Sequence, residues 1–211
     1  MIDFSTILQD LLKQKLPGQD AQKQMMPHTG SAVDRFSIDV KKGAKEGAVL
    51  ILLYKKEDEI YLVLTQRHTY EGAHSGQISF PGGKVEQEDT SVEDTALRET
   101  EEEIGIARSD VKVLGRLTDL FIIASNFNVR PVVGYVNKTP EFVLDPREVD
   151  HTIEVKLSDL KDDSLIGSKE MMFKGTYKIQ APYFDFNGKH VWGATAMILA
   201  EFKEVVKSIK G

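Results

Sequence analysis

Apolar residues near the N-terminus recur at helical spacing and predict an amphipathic helix that ends near Pro17 and Gly18. They are Ile2, Phe4, Ile7, Leu8, Leu11 and Leu12. We expect this helix to pack against the body of the protein or a partner subunit, which makes a homodimer possible. The polar stretch 18–46 predicts an extended arm.

Two continuous apolar runs, 48–54 and 60–65, follow the arm and are typical of buried strands. The polar residues 55–59 between them favour a hairpin connection. A polar loop over 66–77 then leads to a short apolar segment, 78–80, and a turn at Pro81-Gly82-Gly83.

The next segment predicts a helix that Thr90 or Ser91 caps at its N-terminus and that Gly105 ends. Its apolar stripe consists of Val92, Ala96, Leu97, Thr100 and Ile104.

Further strands are expected on both sides of a short helix that begins at 158–160. The last predicted helix covers 195–208. The predicted strands are 111–117, 129–136, 152–156, 172–179, 183–186 and 190–192, with Asn187-Gly188 as a hairpin turn. This order predicts an α/β fold in which helices cover both faces of a mixed sheet. We expect an N-terminal helix and arm over 1–44 and one domain over 45–211.

Composition excludes several classes of function. The 211 residues are 41% hydrophobic and carry a net charge of −6 without a basic stripe, so no nucleic-acid partner is expected. The absence of cysteine excludes disulfides, thiolate catalysis and zinc–thiolate sites. No apolar run is long enough to span a bilayer and the N-terminus lacks the pattern of a signal peptide, which predicts a cytoplasmic protein without a membrane partner.

Three glutamates in the 92–104 helix carry the strongest chemical signal. Glu99, Glu102 and Glu103 stand at i, i+3 and i+4, so they lie close together on the helix surface and repel one another by roughly 0.2–0.5 kcal/mol per pair. They form either a solvated acidic face or a site for a hard divalent cation. Glu103 lies at the edge of the apolar stripe, where a carboxylate is costly unless it is paired or coordinated.

Residues Gly83 to Ile106 resemble the Nudix box, G-x5-E-x7-R-E-U-x-E-E-x-G-U, in which U is a bulky aliphatic residue. The second half matches at Arg98-Glu99, Glu102-Glu103 and Gly105-Ile106. The spacing from Gly83 to Arg98 is one residue longer than in the pattern. Counted back from Arg98, Thr90 stands where the first glutamate is expected, with Asp89 just before it. Thr100 replaces an aliphatic residue.

Segments outside the box are similar to the coenzyme A pyrophosphatase branch of the Nudix hydrolase superfamily. They include 63–67, 74–83, 128–134, 146–149, 155–160 and 192–197. The resemblance implies a Nudix-type α/β/α sandwich with a mixed β-sheet, to which the N-terminal helix is added. It also implies hydrolysis, dependent on Mg²⁺ or Mn²⁺, of coenzyme A or acyl-coenzyme A to 3′,5′-ADP and (acyl-)4′-phosphopantetheine. The alternatives are another nucleoside diphosphate substrate, such as ADP-ribose or NADH, and a non-catalytic nucleotide-binding domain.

The resemblance and the residue types together assign site roles. The metal ligands are expected to be Glu99, Glu102 and Glu103. The catalytic candidates are Glu102, Glu103, Arg98 and Glu148, and the substrate-binding candidates are Arg67, His74, Gln77, Ser79, Gly82 and Gly83. Plainer roles stay open for four of them: Arg98 as a surface ion pair, Arg67 as a solvated strand end, His74 as a loop residue and Glu148 as a surface glutamate.

Overall fold

A computed structural model describes residues 3–29, 43–68, 76–173 and 177–209, and it confirms a mixed α/β fold with an N-terminal helix. The α-helices are α1 (Phe4–Leu12), α2 (Gln19–Lys23), α3 (Val92–Ile104), α4 (Leu157–Lys161) and α5 (Gly193–Val206). The strands are β1 (His28–Thr29), β2 (Lys45–Lys56), β3 (Glu59–Arg67), β4 (Ile78–Ser79), β5 (Gly82–Lys84), β6 (Lys112–Arg116), β7 (Leu120–Ile122), β8 (Phe127–Val136), β9 (Val149–Lys156), β10 (Ile166–Phe173), β11 (Tyr177–Phe186) and β12 (Lys189–Trp192).

Strand β2 forms the centre of the larger sheet, whose order is β4-β3-β2-β8-β6. Strand β5 also pairs with β2, β7 with β8, and β9 with β3. The β2–β8 pair is parallel and the other pairs are antiparallel. The long connection that a parallel pair requires contains α3, so the candidate box helix lies on one face of this sheet.

Both faces of β2 are buried, which explains why its sequence is continuously apolar. Leu50 and Leu52 face the core that contains Ala96 of α3. Ile51 and Leu53 face the opposite core, which contains Phe202 of α5. The sheet therefore lies between two helical layers, as predicted.

The prediction of an extended arm over 18–46 is wrong for residues 19–23, which form α2. Gln22 in this helix is fully buried and donates hydrogen bonds to Glu201 Oε2 of α5 (2.8 Å) and to the Thr118 carbonyl oxygen (3.0 Å). The Glu201 carboxylate also accepts from the backbone N–H groups of Gly18 and Thr118, each at 3.2 Å. Tertiary hydrogen bonds thus stabilise a short polar helix that lacks an apolar stripe.

Residues 30–42 of the predicted arm lie outside the described residues. Leu8 and Leu12 of α1 belong to the same core as α5. This helix therefore packs against the body of the chain, which was one of the two packing partners expected for it. The division at residue 44 stays a prediction.

Strands β1, β10, β11 and β12 form a second, smaller sheet in the described part of the chain. The prediction of a single strand over 172–179 is wrong, because β10 ends at Phe173 and β11 begins at Tyr177. Apolar residues on both sides of this reversal hide it from a periodicity argument. The turn at Asn187 and Gly188 is where the sequence predicted it, and both residues have positive φ angles. None of the helices in the described ranges is long and apolar enough to cross a membrane.

Candidate active site

Helix α3 begins and ends where its sequence predicted. The Ser91 hydroxyl accepts a hydrogen bond from the Asp94 N–H (3.1 Å), and Gly105 ends the helix in the left-handed conformation with φ of 72°. A Cβ on Gly105 would lie 2.7 Å from Cβ of Val143, so only glycine allows the later chain to approach this closely.

Residues 143–145 lie beside the end of α3, and the chain continues from them to Glu148. The backbone N–H groups of Val143 and Asp145 donate to the carbonyl oxygens of Ile104 and Glu103, both at 3.0 Å. Glu148 is exposed. Burial is the main cause of the raised pKa values of Glu99 and Glu103, and the negative charge of Glu148 makes a smaller contribution in the same direction.

The glycine pair brings the backbone of β5 against the same carboxylates. Gly82 has a φ of 150°, and its N–H donates to Glu103 Oε2 at 3.2 Å. A Cβ on Gly83 would overlap the carboxylate of Glu99. Any side chain at Gly83 would therefore displace Glu99, which gives this glycine a steric role that a plain turn would not need.

Glu103 is the most buried of the three box glutamates, with 4% of its surface exposed. Burial raises its pKa to about 7, since the Gly82 N–H and Arg67 compensate only in part. The nearest guanidinium contact, from Arg67 Nη2 to Glu103 Oε1, is 3.5 Å long. Burial also raises the pKa of Glu99, although Arg98 opposes the shift.

Arg98 forms hydrogen bonds to three carboxylates of the box segment. Its Nε and Nη2 donate to the two oxygens of Asp89 at 2.8 and 3.0 Å, while Nη1 donates to Glu99 Oε1 (3.0 Å) and Glu102 Oε2 (3.1 Å). The side chains of Arg98 and Asp89 are only 11% and 2% exposed. Their two parallel hydrogen bonds hold the pKa of Asp89 well below its usual range.

Asp89, rather than Thr90, takes the place of the first glutamate of the pattern. Thr90, where the pattern expects a glutamate, is exposed, and its hydroxyl and N–H both donate to Asp94. Asp89 supplies the carboxylate instead, six residues after Gly83 as in G-x5-E, so the extra residue lies between Asp89 and Arg98. The signal was present in the sequence as an acidic residue one position away.

The carboxylates suit a divalent cation by their chemistry. Glu99 and Glu103 are both desolvated and both have raised pKa values, so a nearby positive charge would relieve the cost of ionising them. In the described ranges, no three acidic or histidine side chains already converge as a set of ligands. Arg98 Nη1 binds Glu99 and Glu102 instead, and Glu102 is 57% exposed.

The remaining predicted residues flank Arg67 at the end of β3. The backbone N–H of Arg67 donates to the Gln77 carbonyl oxygen (3.1 Å), and Ser79 pairs with Thr65 across β3 and β4. Arg67 connects this edge to the box through Glu103. His74 lies outside the described residues. Gln66, beside Arg67, pairs with His151 of β9 across the sheet and accepts a hydrogen bond from Lys189, and no sequence pattern singled out either residue.

The sequence of this chain is similar to those of known proteins. The NUDIX domain model matches residues 44–172. A relative from Yersinia pestis (strain Pestoides F), named "Uncharacterized Nudix hydrolase NudL", is 33% identical over 163 residues, which cover 77% of this chain and 80% of the relative.

Two solved structures show the same fold. The Nudix hydrolase RenU from M. smegmatis is 13% identical, with a TM-score of 0.54, and the match covers 80% of this chain and 89% of that one. The MutT protein from Methanosarcina mazei Go1 is 16% identical, with a TM-score of 0.50, and the match covers 78% and 95%.

Proposed function

The chain belongs to the Nudix family and is a pyrophosphohydrolase, and from this premise we propose that its substrate is coenzyme A or an acyl-coenzyme A. Hydrolysis of the diphosphate would release 3′,5′-ADP and 4′-phosphopantetheine or its acyl form. The observation that carries the proposal concerns the two segments, 63–67 and 74–83, that resemble the coenzyme A pyrophosphatase branch. Arg67 of the first segment and Gly82 of the second both contact Glu103 of the box.

The cofactor in this proposal is Mg²⁺ or Mn²⁺, held by Glu99, Glu102 and Glu103. Such an ion neutralises charge on a diphosphate and lowers the pKa of a bound water. Arg98 serves as the positioning residue, because it holds Glu99 and Glu102 while Asp89 fixes its own guanidinium.

Arg67 is the diphosphate contact that the geometry favours. Its side chain is 37% exposed, and within the described ranges its one ion pair, with Glu103 at 3.5 Å, leaves most of its five donors available to phosphate oxygens. Gly82 and Gly83 support this contact indirectly, because they allow the backbone of β5 to lie directly against Glu103 and Glu99.

Glu148 is the general-base candidate. It is exposed, lies on a loop that is hydrogen-bonded to the end of α3, and is close enough to shift the pKa values of two box glutamates. In this role its carboxylate would accept a proton from the attacking water.

Product identification tests the proposal. Purified protein with Mg²⁺ or Mn²⁺ is incubated separately with coenzyme A, acetyl-coenzyme A, ADP-ribose and NADH, and the products are identified by mass spectrometry. We expect 3′,5′-ADP from the coenzyme A species, and its loss with the Glu103→Gln variant. Release of AMP from ADP-ribose or NADH alone would refute the substrate and retain the reaction. No turnover of any compound would favour another diphosphate or a non-catalytic domain.

A further inference from the structure

Lys189 joins the smaller sheet to the larger one beside the candidate active site. It is the first residue of β12, and its Nζ donates to Gln66 Oε1 of β3 at 3.1 Å. The same Nζ lies 3.2 Å from His151 Nε2 of β9. Gln66 and His151 are paired across β3 and β9, so both side chains lie on one face of the larger sheet.

The positive charge of Lys189 lacks a carboxylate within ion-pairing distance in the parts of the chain that the structure describes. An ammonium group has three N–H donors, and only two have partners here, Gln66 and His151. Both contacts are partly buried. A partly buried cation without a counter-charge is costly, and an anion that accepts the third hydrogen bond would relieve that cost.

His151 holds the ammonium group of Lys189 in place. Because a lysine ammonium only donates, Nε2 of His151 accepts, and Nδ1 carries the proton that it donates to Asp150 Oδ2 at 2.9 Å. Asp150 is the extra residue of a β-bulge, since the register moves from Gln66–His151 to Arg67–Val149. Its Oδ1 atom also lies 3.6 Å from Nδ1 of His68, so two imidazoles lie beside this carboxylate.

The cluster Lys189–His151–Gln66 lies one residue from the diphosphate contact. Gln66 precedes Arg67, and β3 ends at Arg67, so a ligand that lies across the end of this strand can reach both of its faces. One residue of strand corresponds to about 3.3 Å. Arg67 contacts Glu103 on the α3 face, and Lys189 contacts Gln66 on the opposite face.

We propose that Lys189, which Gln66 and His151 position, forms a subsite for a phosphate monoester that the substrate carries apart from its diphosphate. The inference rests on the proposed function, in which that group is the 3′-phosphate of coenzyme A. It makes Lys189 a specificity-determining residue, because ADP-ribose and NADH have no such phosphate.

A pair of matched substrates and variants tests the subsite. The value of kcat/KM is measured for coenzyme A and for 3′-dephospho-coenzyme A with the parent protein, Lys189→Met and Lys169→Met. Lys169 is the control because its Nζ also contacts a histidine, His190 at 2.9 Å, within the smaller sheet. Lys189→Met should lower kcat/KM for coenzyme A by at least about tenfold, the size of one charge-assisted hydrogen bond, and leave the dephospho substrate within about twofold. Lys169→Met should change neither.

An equal loss with both substrates would overturn the proposal, because Lys189 would then only hold the two sheets together. No loss with either substrate would overturn it as well.

A binding measurement separates this proposal from the proposed function. Titration calorimetry compares 3′,5′-ADP with 5′-AMP on the parent and the Lys189→Met protein. We expect the parent to prefer 3′,5′-ADP and the variant to lose the preference. If coenzyme A is not hydrolysed but the preference and its loss are observed, the subsite stands and the assigned substrate fails. If coenzyme A is hydrolysed and both nucleotides bind both proteins equally, the subsite is wrong.

Discussion

Replacing Glu103 by glutamine should stabilise the metal-free protein at pH 8 while it abolishes hydrolysis. The Glu103 carboxylate is buried, and burial raises its pKa from 4.5 to about 7. A carboxyl group whose pKa is higher in the folded state binds its proton more tightly there than in the unfolded chain. Its ionisation therefore lowers the free energy of unfolding as the pH rises from about 4.5 to about 7.

The size of the effect follows from the same shift. One pKa unit is worth about 1.4 kcal/mol, so ionising Glu103 costs the folded state about 3 kcal/mol above pH 7. Glutamine is uncharged, and its side-chain oxygen can still accept the hydrogen bond from the Gly82 N–H. The loss of the Arg67 contact costs little, since that side chain is 37% exposed and its closest approach is 3.5 Å.

Urea unfolding in the presence of a metal chelator, repeated from pH 4 to pH 8, measures this difference. Parent and Glu103→Gln proteins should be about equally stable below pH 4.5, and the variant should gain up to about 3 kcal/mol by pH 8. Glu102→Gln is the matched control, because its side chain is 57% exposed and its loss should change stability by less than about 0.5 kcal/mol. A Glu103→Gln protein that is less stable than the parent at pH 8 would refute the reasoning, since Arg67 and Gly82 would then outweigh burial.

Two further substitutions test the supports of the site. Gly83→Ala should lower kcat by about 10²-fold with an unchanged circular dichroism spectrum, because its Cβ would displace the Glu99 carboxylate; near-parental activity would contradict this geometry. Asp89→Asn should cost about 3 kcal/mol in urea unfolding at pH 7, because it leaves the buried Arg98 without its two-bond partner. Arg98 lowers the pKa of Asp89, so the parent's advantage should persist from pH 7 to about pH 4 and shrink only in stronger acid; an advantage that disappears near pH 6 would argue against the pair.

The local part of the site could be predicted from the sequence because it depends on one helix. Spacing alone placed Glu99, Glu102 and Glu103 on α3, and Ser91 and Gly105 fixed the ends of that helix. The burial of Glu103 also followed from its angle relative to the apolar stripe. The same argument could not reveal that Arg98 binds Asp89, because that pairing depends on the path of the loop before the helix.

The limits of the fold prediction have a similar cause. Helix α2 is short and polar, and it is held by the buried Glu201 from the opposite end of the chain. The hairpin of β10 and β11 has apolar residues on both sides of its reversal, so a period-two pattern continues through it. In both cases the deciding interactions join segments that are distant along the chain, and no local pattern records them.

We expect residues that lie after the box in the sequence, Glu148, His151 and Lys189, to matter most for substrate choice, and they are the hardest to anticipate because distant segments bring them to the site. The segment that leads to Glu148 lies beside the end of α3, because its backbone is hydrogen-bonded to that helix and Gly105 leaves room for Val143. Lys189 reaches β3 because the smaller sheet packs against the larger one. The box itself contains groups suited to any diphosphate. We therefore expect selectivity among diphosphates to depend on Lys189 and His151, which the box pattern does not include.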